Sequence, residues 1–234
     1  LVGPPGTGKT SLARGLASRL ARSVASGKPF HYLEVEPHGL ASGQLGRSQQ
    51  AVRNLLGTVV AERALVGPLV VVLDEVETLA ADRQKLSLEA NPVDVHRATD
   101  AVLAQLDHLA VQHPNVLIIA TSNFPQAIDC AFVSRADLVM TIGLPNAQAC
   151  ASILRETLRS LAKSFPRLKS VAESDELDAI GKQCVGLDGR RVRKVVVAAL
   201  AQSKELAVAP EKLSLRDLRD AVRQAVAEIE EVKS

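Results

Sequence analysis

The first part of the chain alternates between helix-like and strand-like hydrophobic spacing. Leu12, Leu16 and Leu20 recur every four residues, which predicts the buried stripe of a helix over residues 9–24. Three continuous aliphatic runs predict strands that are buried on both faces: residues 69–73, 116–120 and 138–142. Further elements are predicted between them: a strand at residues 30–35 and helices at residues 48–63 and 93–111. This alternation predicts an α/β fold, a parallel sheet with helices on both faces.

The pattern changes after Gly143-Leu144-Pro145, because only helical spacing follows. Four helices are predicted from there on: residues 147–163, 174–184, 189–206 and 214–232. We therefore expect two domains, an α/β nucleotide-binding domain over residues 1–145 and a small all-helical lid over residues 146–234.

The turn that opens the chain carries its most specific motif, Gly3-Pro4-Pro5-Gly6-Thr7-Gly8-Lys9-Thr10, which matches GxxxxGK[ST]. Glycines let backbone amides point at phosphate oxygens, and the helix that follows adds the positive end of its dipole. We assign the whole loop, together with Ser11, to ATP binding. Lys9 would bridge the β- and γ-phosphates, and Thr10 would give its hydroxyl to Mg²⁺.

Leu1 and Val2 are the only residues before this loop. A phosphate-binding loop normally follows a buried strand of about five residues. We therefore expect the first strand to be truncated and an upstream portion to be missing.

Two carboxylates, Asp74 and Glu75, follow the aliphatic run at residues 70–73. Asp74 is predicted to reach the metal shell, and Glu75 to polarise the attacking water as general base. The alternative is that both acids cap a helix running on through Val76 and Leu79.

Asn123 ends the Thr121-Ser122-Asn123 segment, directly after the next predicted strand. An Asn at this position can orient the lytic water or sense the γ-phosphate. The alternative is turn chemistry, since Ser-Asn-Phe-Pro forms turns in many proteins.

Two arginines are candidates for contact with the phosphates. Arg135 is predicted to be an arginine finger acting on the neighbouring subunit of an oligomer, the alternative being a surface ion pair with Asp137. Arg190 lies at the start of a lid helix, behind Asp188 as a candidate N-cap. Cations there oppose the helix dipole, a cost that a nearby anion would offset, so we assign Arg190 to nucleotide binding, with Arg193 as the second choice. The alternative is that these cations form a basic patch for nucleic acid.

The amino-acid composition limits which partners and cofactors we expect this protein to bind. The net charge is +2, and the chain has four Phe, one Tyr and no Trp, which disfavours nucleic acid as a partner. Its three cysteines and five histidines are dispersed, which argues against a zinc site and favours a reducing compartment. No apolar run approaches the ~20 residues of a membrane span. We expect a cytoplasmic protein, or a nuclear one in a eukaryote.

Together these motifs resemble the AAA+ superfamily, whose Walker A, Walker B, sensor 1, arginine finger and sensor 2 motifs occur in this order before a helical lid. Several segments resemble the pachytene checkpoint ATPase family, called thyroid receptor-interacting ATPases in animals: residues 73–80, 101–107, 121–123, 128–129, 131–137 and 186–190.

This resemblance implies a homohexameric ring that hydrolyses ATP with Mg²⁺ and remodels HORMA-domain proteins by partly unfolding them. By position, Asn123 is sensor 1 and Arg190 is sensor 2. The family's pore loop usually carries a bulky aromatic pair, where this chain has Gln44 and Leu45. A Gln lacks the large apolar surface of an aromatic ring, so substrate threading is in question. The alternatives are a DNA-associated AAA+ ATPase, such as a clamp-loader-like protein, and a nucleotide switch without turnover.

Overall fold

The computed structural model describes residues 1–24, 27–36, 47–78, 80 and 92–233. Gln44 and Leu45 lie outside these residues. The chain divides into two compact units, residues 1–4 with 9–142 and residues 5–8 with 143–234. The assignment of two functional domains, 1–145 and 146–234, stays a prediction.

The sheet of the first unit is parallel, in the order β1-β2-β3. Its strands are β1 (His31–Val35), β2 (Leu69–Leu73) and β3 (Val116–Ala120). The register pairs Leu73 with Val35 on one side and with Ala120 on the other. The carboxyl ends of all three strands therefore meet at one edge of the sheet. Asp74 follows β2 at this edge, and Thr121 follows β3.

The helices of this unit are α1 (Lys9–Ser23), α2 (Arg47–Asn54), α3 (Ala61–Val66), α4 (Pro92–Gln112) and α5 (Cys130–Val133). A π-helical segment, Leu55–Val60, joins α2 to α3. Short 3-10 turns form at Val76–Thr78 and Pro125–Ala127.

Strand β2 is buried on both faces, as its aliphatic run predicts. Val70 and Val72 pack with Ala13 and Ala17 of α1. The alternate side chains of β2 pack in a second cluster with residues of α2, the π-helical segment and α4. Helices therefore cover both faces of the sheet, and the predicted α/β fold is confirmed.

The predicted buried stripe of α1 is wrong for Leu12 and Leu16, whereas Leu20 is partly buried and packs against the cluster of Ala13 and Ala17. Leu12 and Leu16 are 45% and 43% exposed, whereas Ala13 and Ala17 are buried. The small alanine side chains let the helix pack closely on β2, which turns the larger leucines away from the sheet. Leu16 instead lines a cavity of about 570 Å³.

Residues 138–142 do not form the predicted buried strand. Leu138 is 72% exposed, and only Thr141 bridges in parallel to Val2, which also bridges to Ser122. Among the described residues, Val2 is thus the link between this segment and Ser122, which follows β3. Leu117 of β3 is partly exposed and borders the cavity.

The second unit is helical, as predicted, and has its own core. Its helices are α6 (Ala147–Ala162), α7 (Leu168–Ala172), α8 (Glu176–Gln183), α9 (Gly189–Ala201), α10 (Lys204–Val208) and α11 (Leu215–Lys233). A 3-10 turn forms at Pro210–Lys212. Helix α7 was not predicted, and the predicted helix at 189–206 is broken by Ser203, which caps α10. Among the helices that the structure describes, none is long and apolar enough to cross a membrane.

Candidate active site

The loop at residues 3–8 has the backbone that its glycines predict. Gly3, Gly6 and Gly8 have φ angles of 149°, 77° and 92°, a region that disfavours other residues. A Cβ atom on Gly3 would also lie 2.1 Å from the Ile142 carbonyl oxygen. Helix α1 begins at Lys9 directly after the loop, so its first free amides point toward the loop, as an anion site requires. Thr10 and the exposed Ser11 belong to its first turn.

Lys9 is buried, and its Nζ donates to the carbonyl oxygens of Gly3 at 2.9 Å and Pro4 at 2.8 Å. Burial lowers the pKa of Lys9, and the carboxylates of Glu77, Asp74 and Glu75 oppose this shift in that order. The ammonium therefore sits in a partly desolvated position at the loop, where phosphate oxygens would provide the negative charge that carbonyl groups lack.

Thr10 and Asp74 meet as predicted. Thr10 Oγ1 donates to Asp74 Oδ1 at 2.8 Å. Hydroxyl and carboxylate oxygens are ligands that Mg²⁺ accepts, and neighbouring oxygens around an octahedral Mg²⁺ lie about 3 Å apart. The pair therefore fits a magnesium site. The carboxylate of Asp74 accepts from threonine hydroxyls, which differs from the helix cap considered as an alternative.

Thr121 completes this arrangement, although the sequence assigned it no role. It is only 1% exposed, and its hydroxyl donates to Asp74 Oδ1. The same hydroxyl accepts a bond from the backbone N–H of Glu75 at 3.2 Å. The signal that could have found it is the parallel register, because the residue after Ala120 must lie beside the residue after Leu73.

Glu75 has a φ of 53°, the left-handed region that non-glycine residues enter at a cost of about 1–2 kcal/mol. Neighbours on both sides fix this conformation. Its N–H binds Thr121, and its carbonyl accepts from Thr78 N at 3.2 Å and Thr78 Oγ1 at 3.0 Å. The turn directs Glu75 away from the line of β2, at the edge where β3 also ends.

Asn123 is brought to Glu75 as the strand order predicts. Its Nδ2 donates to Glu75 Oε1 at 3.0 Å. Turn chemistry is also present, but Ser122 supplies it, since Ser122 Oγ accepts from the N–H of Phe124 at 3.1 Å. Because Ser122 makes the turn bond, the side-chain amide of Asn123 can bind the Glu75 carboxylate.

Glu77 is a second residue that sequence reasoning missed. Its Oε1 accepts from the backbone N–H of Asn123 at 3.1 Å. No hydrophobic period marks this position, because Glu77 lies in the short 3-10 turn Val76–Thr78, and the family-like segment 73–80 that contains it assigned it no separate role.

Arg135 lies apart from these groups within this chain. Its guanidinium donates to both carboxylate oxygens of Asp107, at 2.8 and 2.9 Å, and to the carbonyl of Ala131 at 2.8 Å. This pairing raises the pKa of Arg135 and lowers the pKa of Asp107. The ion pair considered as the alternative is therefore present, but its partner is Asp107 and not Asp137.

Arg190 belongs to the second unit, at the start of α9. Asp188 caps this helix, as predicted, accepting from the N–H groups of Arg190 and Arg191 at 2.9 Å each. Arg191 pairs with Asp188 at 3.4 Å. The exposed side chain of Arg190 makes no hydrogen bond or ion pair within the described part of the chain, so it is available to an anion.

Within the second unit, Gly6 packs against Asp188. A Cβ atom on Gly6 would lie 2.3 Å from Asp188 Oδ1, and one on Gly189 would lie 3.1 Å from the carbonyl oxygen of Gly6. Gly6 therefore has no room for a side chain unless Asp188 moves, whereas a Cβ on Gly189 would make a tight contact that requires a small shift of the neighbouring atoms.

A glycine-rich loop between the β-bridge residue Val2 and a helix, with a Thr–Asp pair next to its lysine, defines the class of P-loop nucleotide-binding domains. Residues 1–144 match the family described as "ATPase family associated with various cellular activities (AAA)". The chain belongs to this family and is an AAA ATPase, which implies nucleotide binding.

Curated relatives support the family resemblance that the sequence motifs indicate. The chain is 59% identical over 225 residues to CD-NTase-associated protein 6 of Pseudomonas aeruginosa, covering 96% of this chain and 74% of that protein. It is 37% identical over 226 residues to the pachytene checkpoint protein 2 homolog of Danio rerio, covering 86% of this chain and 52% of that protein. The corresponding human homolog is 35% identical, with 86% and 51% covered. The chain thus spans about half the length of these checkpoint relatives, and the predicted resemblance is confirmed.

The fold has solved counterparts. The crystal structure of the FIGL-1 AAA domain in complex with ADP matches with a TM-score of 0.67 at 22% identity, over 96% of this chain and 70% of that one. At this identity the match shows a shared AAA fold.

Proposed function

We propose that this chain is the motor of a protein-remodelling ATPase that hydrolyses MgATP at the edge where β2 and β3 end. The observation that carries the proposal is the hydrogen bond between Asn123 Nδ2 and Glu75 Oε1, 3.0 Å long, beside the Thr10–Asp74 pair. A carboxylate and an amide converging next to a metal-binding pair form an arrangement suited to placing a water against a γ-phosphate.

Each residue then has a separate task. Lys9 and the loop amides would bind the phosphates, and Thr10 and Asp74 would hold Mg²⁺, which would neutralise phosphate charge. Glu75 takes a proton from the water as the water oxygen bonds to the γ-phosphorus and the bond from that phosphorus to the bridging oxygen of ADP breaks, so that ADP and phosphate are the products. Asn123 orients both the water and Glu75. Arg190 is assigned to nucleotide binding, because its exposed guanidinium makes no hydrogen bond or ion pair among the described residues.

The experiment is a turnover assay on three variants. Glu75→Gln keeps the shape of the side chain but removes the base, so we expect turnover to fall about 10²–10⁴-fold with ATP affinity retained. Lys9→Ala should lose ATP binding. Glu62→Gln is the matched control, since Glu62 lies on α3. Wild-type turnover in the Glu75→Gln protein would refute the assignment of the base.

The proposed client is a HORMA-domain protein. Its support is the family resemblance together with 59% identity to CD-NTase-associated protein 6, whose name records association with a CD-NTase. The test uses the full-length protein with Glu75→Gln, incubated with ATP and a HORMA-domain protein encoded in the same genome. We expect a stable ATP-dependent complex, and wild-type protein with ATP should release the client. Absence of any complex, with ATP binding intact, would refute this client.

The proposed assembly is a homohexameric ring in which Arg135 acts on the nucleotide of the adjacent subunit. The support is that Arg135 is directed toward Asp107 and Ala131 instead of toward Glu75 or Lys9 of its own chain. Mixing an Arg135→Ala protein with a Lys9→Ala protein should restore part of the turnover, because some interfaces then pair an intact finger with an intact loop. No recovery in mixtures that form oligomers would contradict action across subunits.

A further inference from the structure

Glu77 lies in the 3-10 turn that follows β2, next to the residues that follow β3, and it has no part in the proposed reaction. Its turn is fixed there, because the N–H of Val76 donates to the carbonyl of Thr121 at 2.9 Å and the Val76 side chain is buried. From this anchored turn, Glu77 Oε1 accepts from the backbone N–H of Asn123 at 3.1 Å.

Asn123 is therefore held at two points by two carboxylates. Glu77 binds its backbone N–H, and Glu75 accepts from its side-chain amide. Fixing the backbone at one end limits where the amide can point at the other. The bond between Glu77 and Asn123 thus helps to set the position of the amide that faces the predicted base.

The second oxygen of Glu77 distinguishes it from a surface acid. Oε2 is buried and has no hydrogen-bond partner among the described residues. Leaving a carboxylate oxygen buried without a donor costs free energy, so a position used only for folding would favour a neutral residue. Glu77 also opposes the burial-driven lowering of the Lys9 pKa more than Asp74 or Glu75 does.

We propose that Glu77 is a positioning residue for ATP hydrolysis, which holds the backbone of Asn123 so that its amide meets Glu75 and the lytic water. This inference rests on the proposed function. Glu77 would act when the lytic water is oriented, whereas Lys9 and the loop would bind the nucleotide.

Two conservative variants separate positioning from charge. Glu77→Gln keeps the reach and an acceptor oxygen but removes the charge, whereas Glu77→Asp keeps the charge and shortens the reach to Asn123. Positioning predicts that Glu77→Asp lowers kcat about tenfold to hundredfold with KM for ATP nearly unchanged, and that Glu77→Gln retains most of kcat. The reverse order, with Glu77→Gln the more damaged variant, would overturn the proposal in favour of a charge effect on Lys9.

A double-mutant cycle tests whether Glu77 acts through Asn123. We expect Asn123→Ala to lower kcat about hundredfold, and Glu77→Asp added to it to lower kcat less than about twofold further. Independent, multiplicative losses would overturn the proposal. Thermal midpoints of all variants should stay close to wild type, and Glu173→Asp, outside the site, is the matched control. If Asn123→Ala itself turns over at the wild-type rate, the proposed hydrolytic role of Asn123 fails, which is a different result from a failure of Glu77 alone.

Discussion

Arg135 and Asp107 form a two-point ion pair, with Nε 2.8 Å from Oδ1 and Nη2 2.9 Å from Oδ2. Asp107 lies on α4, whereas Arg135 follows α5, so the pair joins two elements that are adjacent in space. Both side chains are partly exposed, at 32% for Arg135 and 58% for Asp107. In an exposed pair of this kind, another anion can easily replace the Asp107 carboxylate as the partner of Arg135. A phosphate of the nucleotide bound to a neighbouring subunit is such an anion.

Replacing each partner separately therefore distinguishes a finger from a structural ion pair. We expect Arg135→Ala to lower turnover about 10³-fold while ATP affinity per subunit stays nearly constant, since a finger stabilises transition-state charge. Asp107→Ala should leave most of the turnover, because Arg135 remains. Both variants should melt near the wild-type temperature. Equal losses of turnover in the two variants would show that turnover requires the ion pair between Arg135 and Asp107, and not the Arg135 guanidinium acting on a phosphate.

Thr121 is predicted to support catalysis through Asp74 and Glu75. Thr121→Val keeps the shape of the side chain but removes the hydroxyl that binds the Asp74 carboxylate and the Glu75 N–H. We expect kcat to fall about tenfold or more, because the left-handed turn at Glu75 loses a partner. An unpaired buried N–H should also lower the free energy of unfolding by about 1–3 kcal/mol.

The matched variants for this prediction are Thr121→Ser and Thr157→Val. Thr121→Ser retains the hydroxyl and should retain activity. Thr157 donates to the carbonyl of Ile153 within α6, a bond that involves none of the candidate site residues, so Thr157→Val should not change kcat. Steady-state ATPase assays on the three proteins test this prediction. Full activity in Thr121→Val would contradict a supporting role of Thr121 in catalysis.

The sequence was sufficient where chemistry follows directly from local order. The loop, the acids after β2 and the Asn after β3 are each defined by a few consecutive residues, and the structure brings Thr10, both acids and the Asn to one sheet edge. Thr121 and Glu77 were missed because their roles depend on strand register and on a 3-10 turn, neither of which leaves a period in the sequence. The stripe of α1 was wrong because leucine spacing cannot show that two alanines make the closer contact with β2.

Gly6 is predicted to tolerate no side chain. Its φ of 77° costs an alanine about 1–2 kcal/mol, and the added Cβ would lie 2.3 Å from Asp188 Oδ1. Asp188 cannot easily move away, because the same oxygen caps α9 through two N–H groups. We expect Gly6→Ala to lose nucleotide binding and to lower the thermal midpoint.

Gly15→Ala is the control for this change. Gly15 lies inside α1, and a Cβ there would meet nothing within 4 Å. Alanine at such a helical site is expected to stabilise by up to about 1 kcal/mol. Binding of a fluorescent ATP analogue and thermal melts, measured side by side, give both results. A Gly6→Ala protein that binds ATP normally would show that the contact with Asp188 is unimportant.

The three cysteines should react very differently with a thiol reagent. Cys130 is exposed, whereas Cys150 and Cys184 are buried. Because only the thiolate reacts, and burial raises the pKa of both buried thiols, we expect one fast reaction in the native protein at about pH 8 and three in denaturant. Peptide mapping should place the fast reaction at Cys130, and Cys130→Ser should abolish it. Fast labelling of Cys184 in the folded protein would contradict its burial.

The same burial predicts how stability changes at alkaline pH. Burial raises the pKa of Cys184 from an ordinary 9.0 to about 12, with a smaller contribution from Cys150. Below pH 9 the thiol is protonated in both the folded and the unfolded chain, so its contribution to stability is fully present. Between about 9 and 12 the unfolded chain releases this proton first, and the free energy of unfolding must fall as pH rises. Urea melts across this range should show the decline, and Cys184→Ala, although less stable at neutral pH, should show a shallower one. An equal slope in both proteins would mean that other groups cause the alkaline loss.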